Sequence, residues 1–173
     1  MTFANTLRIS VAFLAALLLS IPGSAQTDRG TSQLTTPEGT ILVDYGRPQL
    51  KGRDPLTWQK DGSYWRMGMN DMTTLRTPAD LVFGSVRIPK GNYGLWLFKV
   101  SPERYELVFN SATSGMGMDH DKAKDVGNVL LRKESVTDPV ETFTIEMKGG
   151  AKGSVLALTW GTTRLAADFR IGG

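Results

Sequence analysis

From Thr40 onward, apolar and polar residues alternate with a period of two, which is the signal of strands with one buried face. Ile41, Val43 and Tyr45 alternate with Leu42 and Asp44, and Trp65, Met67 and Met69 with Tyr64, Arg66 and Gly68. Leu81, Phe83, Val86 and Ile88 lead into the turn-forming Pro89-Lys90-Gly91-Asn92. The next run, 93–100 (YGLWLFKV), is apolar on both faces and predicts a central strand. Further strands are predicted at 105–110, 129–132, 143–147, 155–160 and 164–171, with 148–153 a long hairpin loop. About nine short strands separated by Gly- and Pro-rich turns predict an all-β domain, an antiparallel two-layer β-sandwich of jelly-roll-like or Ig-like kind. Its expected core contains Val43, Tyr45, Leu95, Leu97, Leu107, Phe109, Phe143, Ile145 and Leu158. No sustained helical period occurs after residue 25. A turn or two around 119–126, capped by Asp119, is the best helical candidate.

The ends of the chain read differently. Arg8, the apolar run 11–19 and the small residues Gly23 and Ala25 have the form of a secretory signal peptide over 1–25, cut after Ala25. The run falls short of the roughly 20 apolar residues that span a bilayer, so no membrane span is expected after cleavage. The mature chain is then expected to be exported, periplasmic or secreted. Residues 26–38 (QTDRGTSQLTTPE) are polar and aperiodic, and are expected to be a mobile leader to a single domain over 39–173.

Composition narrows the chemistry. The formal charge of the 173-residue chain is +3, one unit less without Arg8, and its Lys and Arg residues are scattered, which argues against a nucleic-acid partner. The chain has no cysteine. That removes disulfides, thiolate metal sites, thiol catalysis and a lipid anchor on cysteine.

Several segments occur together in a fixed order: Val43-Asp44-Tyr45-Gly46-Arg47-Pro48 with Lys51-Gly52-Arg53, then Trp65-Arg66-x-Gly68-x-Asn70 and Ile88-Pro89-Lys90-Gly91-Asn92-Tyr93. Phe109-Asn110, Pro139-Val140-Glu141 and Leu158-Thr159-Trp160 follow. With these, residues 37–171 resemble a bacterial exported family known as domain of unknown function 2911. Where that family usually reads Ala-Asn-Glu-Ala-Thr, this chain has Met69-Asn70-Asp71-Met72-Thr73, and Met116-Gly117 stands where a Trp-Gly pair is common. The resemblance implies a β fold and an envelope location, and no activity.

Catalytic constellations are scarce. His120 is the only histidine, which excludes multi-histidine metal sites, and no Gly-x-Ser-x-Gly elbow is present to supply a nucleophile. Asp119-His120-Asp121 with Asp125 resembles a calcium loop superficially, but the sixth position is not glycine and the twelfth is Leu130, so a solvated polar loop is expected. No metal and no cofactor is predicted. Asp44, Glu106, Glu141 and Glu146 are carboxylates that a glycoside hydrolase would need in pairs, a pairing the sequence does not reveal.

The more specific candidate is a polar ligand site built from Asp44, Arg47, Arg53, Arg66 and Asn70, with Lys51 between the two early arginines. Alternation places Arg66, Gly68 and Asn70 on one strand face, and guanidinium forks beside an amide and a carboxylate suit a small anionic or hydroxylated ligand. The alternative is structural, with Arg66 pairing Asp44 or Asp71 at a sheet edge. The long segment 111–127 carries Met116 and Met118 between glycines, which either present apolar contacts to a partner, such as an envelope protein, or tuck under the loop. Three functions follow from different classes. They are a non-catalytic ligand-binding or accessory module, a structural or protein-interaction domain, and a carboxylate-based hydrolase, the last with the least support.

Overall fold

The computed structural model describes residues 28–150 and 153–172, so the expected signal peptide and its cleavage site lie outside the described residues. The strands are β1 (Arg29–Thr36), β2 (Gly39–Gly46), β3 (Ser63–Trp65), β4 (Thr74–Thr77), β5 (Asp80–Phe83), β6 (Val86–Ile88), β7 (Gly91–Ser101), β8 (Arg104–Asn110), β9 (Asp125–Gly150) and β10 (Gly153–Gly172). A single helical turn α1 (Pro55–Trp58) and a 3-10 turn (Lys122–Lys124) interrupt them. The strands pair antiparallel in the order β1-β2-β4-β7-β8-β9-β10-β5-β6, while β3 pairs with β7 beyond β4. The fold is all-β and consistent with the expected sandwich.

Two long strands join the layers. The first residues of β9 pair with β8, from Asp125 to Leu131, and the rest pairs with β10 from Arg132 to Gly150. The start of β10 lies against β9 and its end, Arg170–Gly172, against β5. The predicted segments 129–132 and 143–147 are therefore parts of one strand, as are 155–160 and 164–171. Bulges around Gly161, whose φ is +60°, let β10 bend without breaking. Pairing runs on to Gly150 and Gly153, so 148–150 and Gly153 belong to the strands and not to the expected long loop.

The core lies where the pattern predicts it. Val43, Tyr45, Leu95, Leu97, Leu107, Phe109, Phe143, Ile145 and Leu158 are all buried in one cluster. Trp65 and Trp160 stack with ring centroids 5.4 Å apart, and Phe143 meets both edge-on. The indole N–H of Trp160 donates to the Glu141 carbonyl at 3.2 Å, so this aromatic group is satisfied on its polar side.

The leader is a correction. Residues 29–36 form β1 and pair with β2 along their whole length. A strand edge is held by backbone groups, which need no apolar period, and this one turns only Ser32 fully inward and Leu34 partly. Ser32 Oγ accepts the Met147 N–H at 2.9 Å, which ties β1 to β9 on its other side. Nearby, the Leu50 N–H donates to Glu141 O and the Phe143 N–H to Pro48 O, each at 2.9 Å. The predicted helical turn also moves: Asp121, not Asp119, caps Lys122–Lys124 by accepting the Ala123 N–H. Helix α1 has too few residues for a period to show. It is started by Asp54, which accepts the Thr57 N–H, and finished by the buried Lys99 ammonium, which donates to the carbonyls of Leu56, Thr57 and Gln59.

Replacing Phe109, fully buried between Phe83 and Tyr93, by alanine is expected to cost about 3–5 kcal/mol in denaturant unfolding. A chain beginning at Thr40 lacks β1, one of the two partners of β2, and is expected to melt at a lower temperature than one beginning at Gln26; equal melting temperatures would return 29–36 to the role of a leader.

Candidate functional site

The segment after β3 decides the fate of the expected strand face. Strand pairing stops at Trp65, and Met67 and Asn70 have φ of +54° and +61°, the left-handed region. Arg66, Gly68 and Asn70 therefore do not share a strand face. The cause is close packing. Gly68 lies on the backbone of Gly46, where a Cβ would come within 3.0 Å of both its N and O atoms. The Thr73 hydroxyl donates to the Met67 carbonyl at 2.7 Å and closes the turn.

The five expected ligand residues separate accordingly. Asp44 is paired with Arg29, whose Nε donates to it at 2.7 Å and whose guanidinium also reaches the carbonyls of Asp71 and Met72. Neither Arg66 nor Asp71 is the partner of Asp44 or of the other. Arg66 instead donates to the Met116 carbonyl and lies 3.6 Å from Met118 Sδ. Arg53 is exposed and donates to the Leu50 carbonyl at 3.3 Å. Arg47 lines a hollow between β1 and β9 beside Gln33, Glu146 and Lys148. Asn70 stands exposed on the turn. Among the described residues no hydrogen bond or ion pair joins any two of the five.

The polar loop is not wholly solvated. The His120 side chain is only 5% exposed, with Nε2 2.8 Å from Asp125 Oδ1. Its ring stacks on Tyr64 at 3.6 Å between centroids and meets Trp96 edge-on. Asn110, itself buried, donates to the same Asp125 oxygen at 2.8 Å and to the Asp121 carbonyl at 2.9 Å. The loop thus folds over a second, small apolar cluster of Met72, Trp96 and Val108 on the outer face of the sheet. Burial and the nearby Asp125 charge raise the Tyr64 hydroxyl above its usual pKa. The Ala123 N–H, then Lys124, holds Asp121 below the carboxylate range. The two-sided apolar run of β7 was the signal that something must cover this face. Met116 and Met118 do not tuck under the loop, being 62% and 74% exposed.

Among the described residues no hydroxyl hydrogen-bonds to His120, and no three acidic or histidine side chains are placed to hold a metal ion. The four strand carboxylates have separate partners: Asp44 has Arg29, Glu106 has Arg104 and Asn128, Glu141 has the Lys51 N–H, and Glu146 has Lys148.

What remains is a groove across the outer face of β2, β4 and β7. The register sets Leu42 opposite Arg76 and Arg76 opposite Asn92, with Asp44 opposite Thr74 in the next row. Two adjoining hollows of about 320 Å³ each share Arg76 and Asn92, and Thr113 of the long loop closes one wall. Arg76 is exposed and makes no ion pair among the described residues. Its strand is only four residues long, Thr74–Thr77, which is why alternation alone did not single it out.

No curated protein and no solved structure matches the chain. A family model described as "Protein of unknown function (DUF2911)" matches residues 27–169. The match begins before β1 and ends within β10, so it takes in β1 to β9 and most of β10, stopping just short of the residues that pair with β5, and it includes the Gly46 and Gly68 contact. The chain belongs to this family of proteins of unknown function.

Proposed function

We infer that the protein is an exported, non-catalytic binding module of the bacterial envelope that takes a small anionic or polyhydroxylated ligand in the groove over β2, β4 and β7. The observation that carries this reading is Arg76. Its guanidinium stands exposed and without an ion pair among the described residues, between Leu42 and Asn92 in its row and with the Asp44 carboxylate one row away. A planar fork of donors with an amide and a carboxylate in reach matches adjacent oxygens, either of a carboxylate or of neighbouring sugar hydroxyls. Because Arg29 already neutralises Asp44, the charge of Arg76 is left for the ligand. The signal-peptide form of residues 1–25 supports export.

Thermal-shift measurements against sugars and small carboxylates test this directly, since a ligand that binds only the native state raises the melting temperature, by about 2.7 kcal/mol of stabilisation at a hundredfold excess over Kd. Arg76→Ala is expected to abolish the shift while leaving the unliganded protein within about 0.5 kcal/mol of wild type. Arg76→Lys is expected to retain only part of it, because a point charge cannot grip two oxygens. Arg53→Ala, far along the chain in its own contact with Leu50, serves as the control that binds normally. Equal shifts for wild type and Arg76→Ala would overturn the reading.

A further inference from the structure

Methionines among the described residues differ sharply in exposure, with Met69 half-buried between the extremes. Met67, Met72 and Met147 are buried, at 0%, 5% and 7% exposure, whereas Met116 and Met118 are 62% and 74% exposed on the loop after β8. Between them Gly117, with φ of +58°, presses the loop backbone against Arg66, where a Cβ would come within 3.0 Å of the Arg66 Cβ and 3.2 Å of its Cδ. The loop tip is therefore seated on the arginine while both methionines on it remain largely exposed. The seat itself is lightly held. Arg66 Nη1 donates to the Met116 carbonyl, and the Met72 N–H to Gly115 O at 3.3 Å. The same Nη1 lies 3.6 Å from Met118 Sδ, and a thioether is only a weak acceptor.

We propose that Met118 is a reversible oxidation site whose sulfoxide is captured by Arg66, so that oxidation tightens the loop onto the end of β3. The oxidant is a peroxide. The sulfur lone pair attacks the peroxide oxygen, the O–O bond breaks as the S–O bond forms, and the sulfur is oxidised while the peroxide is reduced to water or, for an organic hydroperoxide, an alcohol. The product replaces a weak acceptor with a strongly polar oxygen beside a fixed cation, giving the charge-assisted kind of hydrogen bond. Oxygen adds to either side of the sulfur, and the epimer whose oxygen faces the guanidinium gains the contact. Sulfoxide formation usually loosens a protein by placing a polar group among apolar ones. Here the residue is already exposed and its sulfur lies next to a donor, so the sign is reversed. A methionine sulfoxide reductase restores the thioether and releases the loop. None of this depends on the groove or on Arg76.

The test is peroxide treatment of the purified protein, peptide mapping of the modified residues, and hydrogen exchange over residues 112–120 before and after. Met116 and Met118 are expected to oxidise well before Met67, Met72 and Met147. Exchange in the loop is expected to slow about tenfold, the effect of one hydrogen bond to a charged group. Met118→Leu is expected to remove the slowing and Met116→Leu to keep it, and reductase treatment to restore the original rate. Exchange that is unchanged or faster in the oxidised wild type, or slowed equally in Met118→Leu, would overturn the proposal. So would a Met118 that oxidises no faster than the buried sulfurs.

Discussion

Strand β9 carries hydrogen bonds to β8 along its first residues and to β10 along the remainder, so both layers are built on one continuous backbone. The fold depends on this sharing. A cysteine-free domain has no covalent staple, and its stability must come from the area the two layers bury between them. A strand common to both fixes their separation and offset at once, and the bulges of β10 around Gly161 let the partner strand follow the bend. Phe143 on β9 then meets Tyr45 edge-on, Ile145 and Met147 join the same buried cluster, and Trp65 and Trp160 close the aromatic end.

Close backbone contact sets a second constraint. Gly46 ends β2 against Met69, where a Cβ would sit 2.2 Å from the Met69 carbonyl oxygen, and Gly68 returns the contact. The segments around Asp44–Pro48 and Trp65–Asn70 thus meet in space as two stretches of backbone touching at their glycines. The contact gives those residues a packing role without assigning them chemistry. It also sets Arg66 at the mouth of the turn, where the long loop finds it.

The alternation of side chains carried the core, because a buried face needs apolar residues at every second position and no other element supplies that rhythm. It did not carry β1. RGTSQLTT pairs through its backbone and contributes only Leu34 and Ser32 to the interior, so nothing apolar marks it. The partner of Asp44 was consequently missed, since Arg29 lies in that segment. Positive φ at Met67 broke the expected face of Arg66 and Asn70, because a left-handed residue in a run of otherwise strand-like alternation leaves no trace in the residue types. His120 was hidden for another reason. Its environment comes from Tyr64, Trp96 and Asp125, two of them distant in sequence, and only the two-sided apolar run of β7 hinted that a cover was required.

The base of the long loop is stitched shut. The Ser111 N–H donates to the Lys124 carbonyl, and Asn110 bridges to Asp121 and Asp125 across the same neck. What happens to the length of the tip is therefore separated from the sheet beneath it. A closed neck means that lengthening the tip adds only the slowly growing closure entropy of a longer loop, about 0.6 kcal/mol for each doubling. The tip is then the place on this molecule where inserted sequence is tolerated, while the strands on either side keep their register.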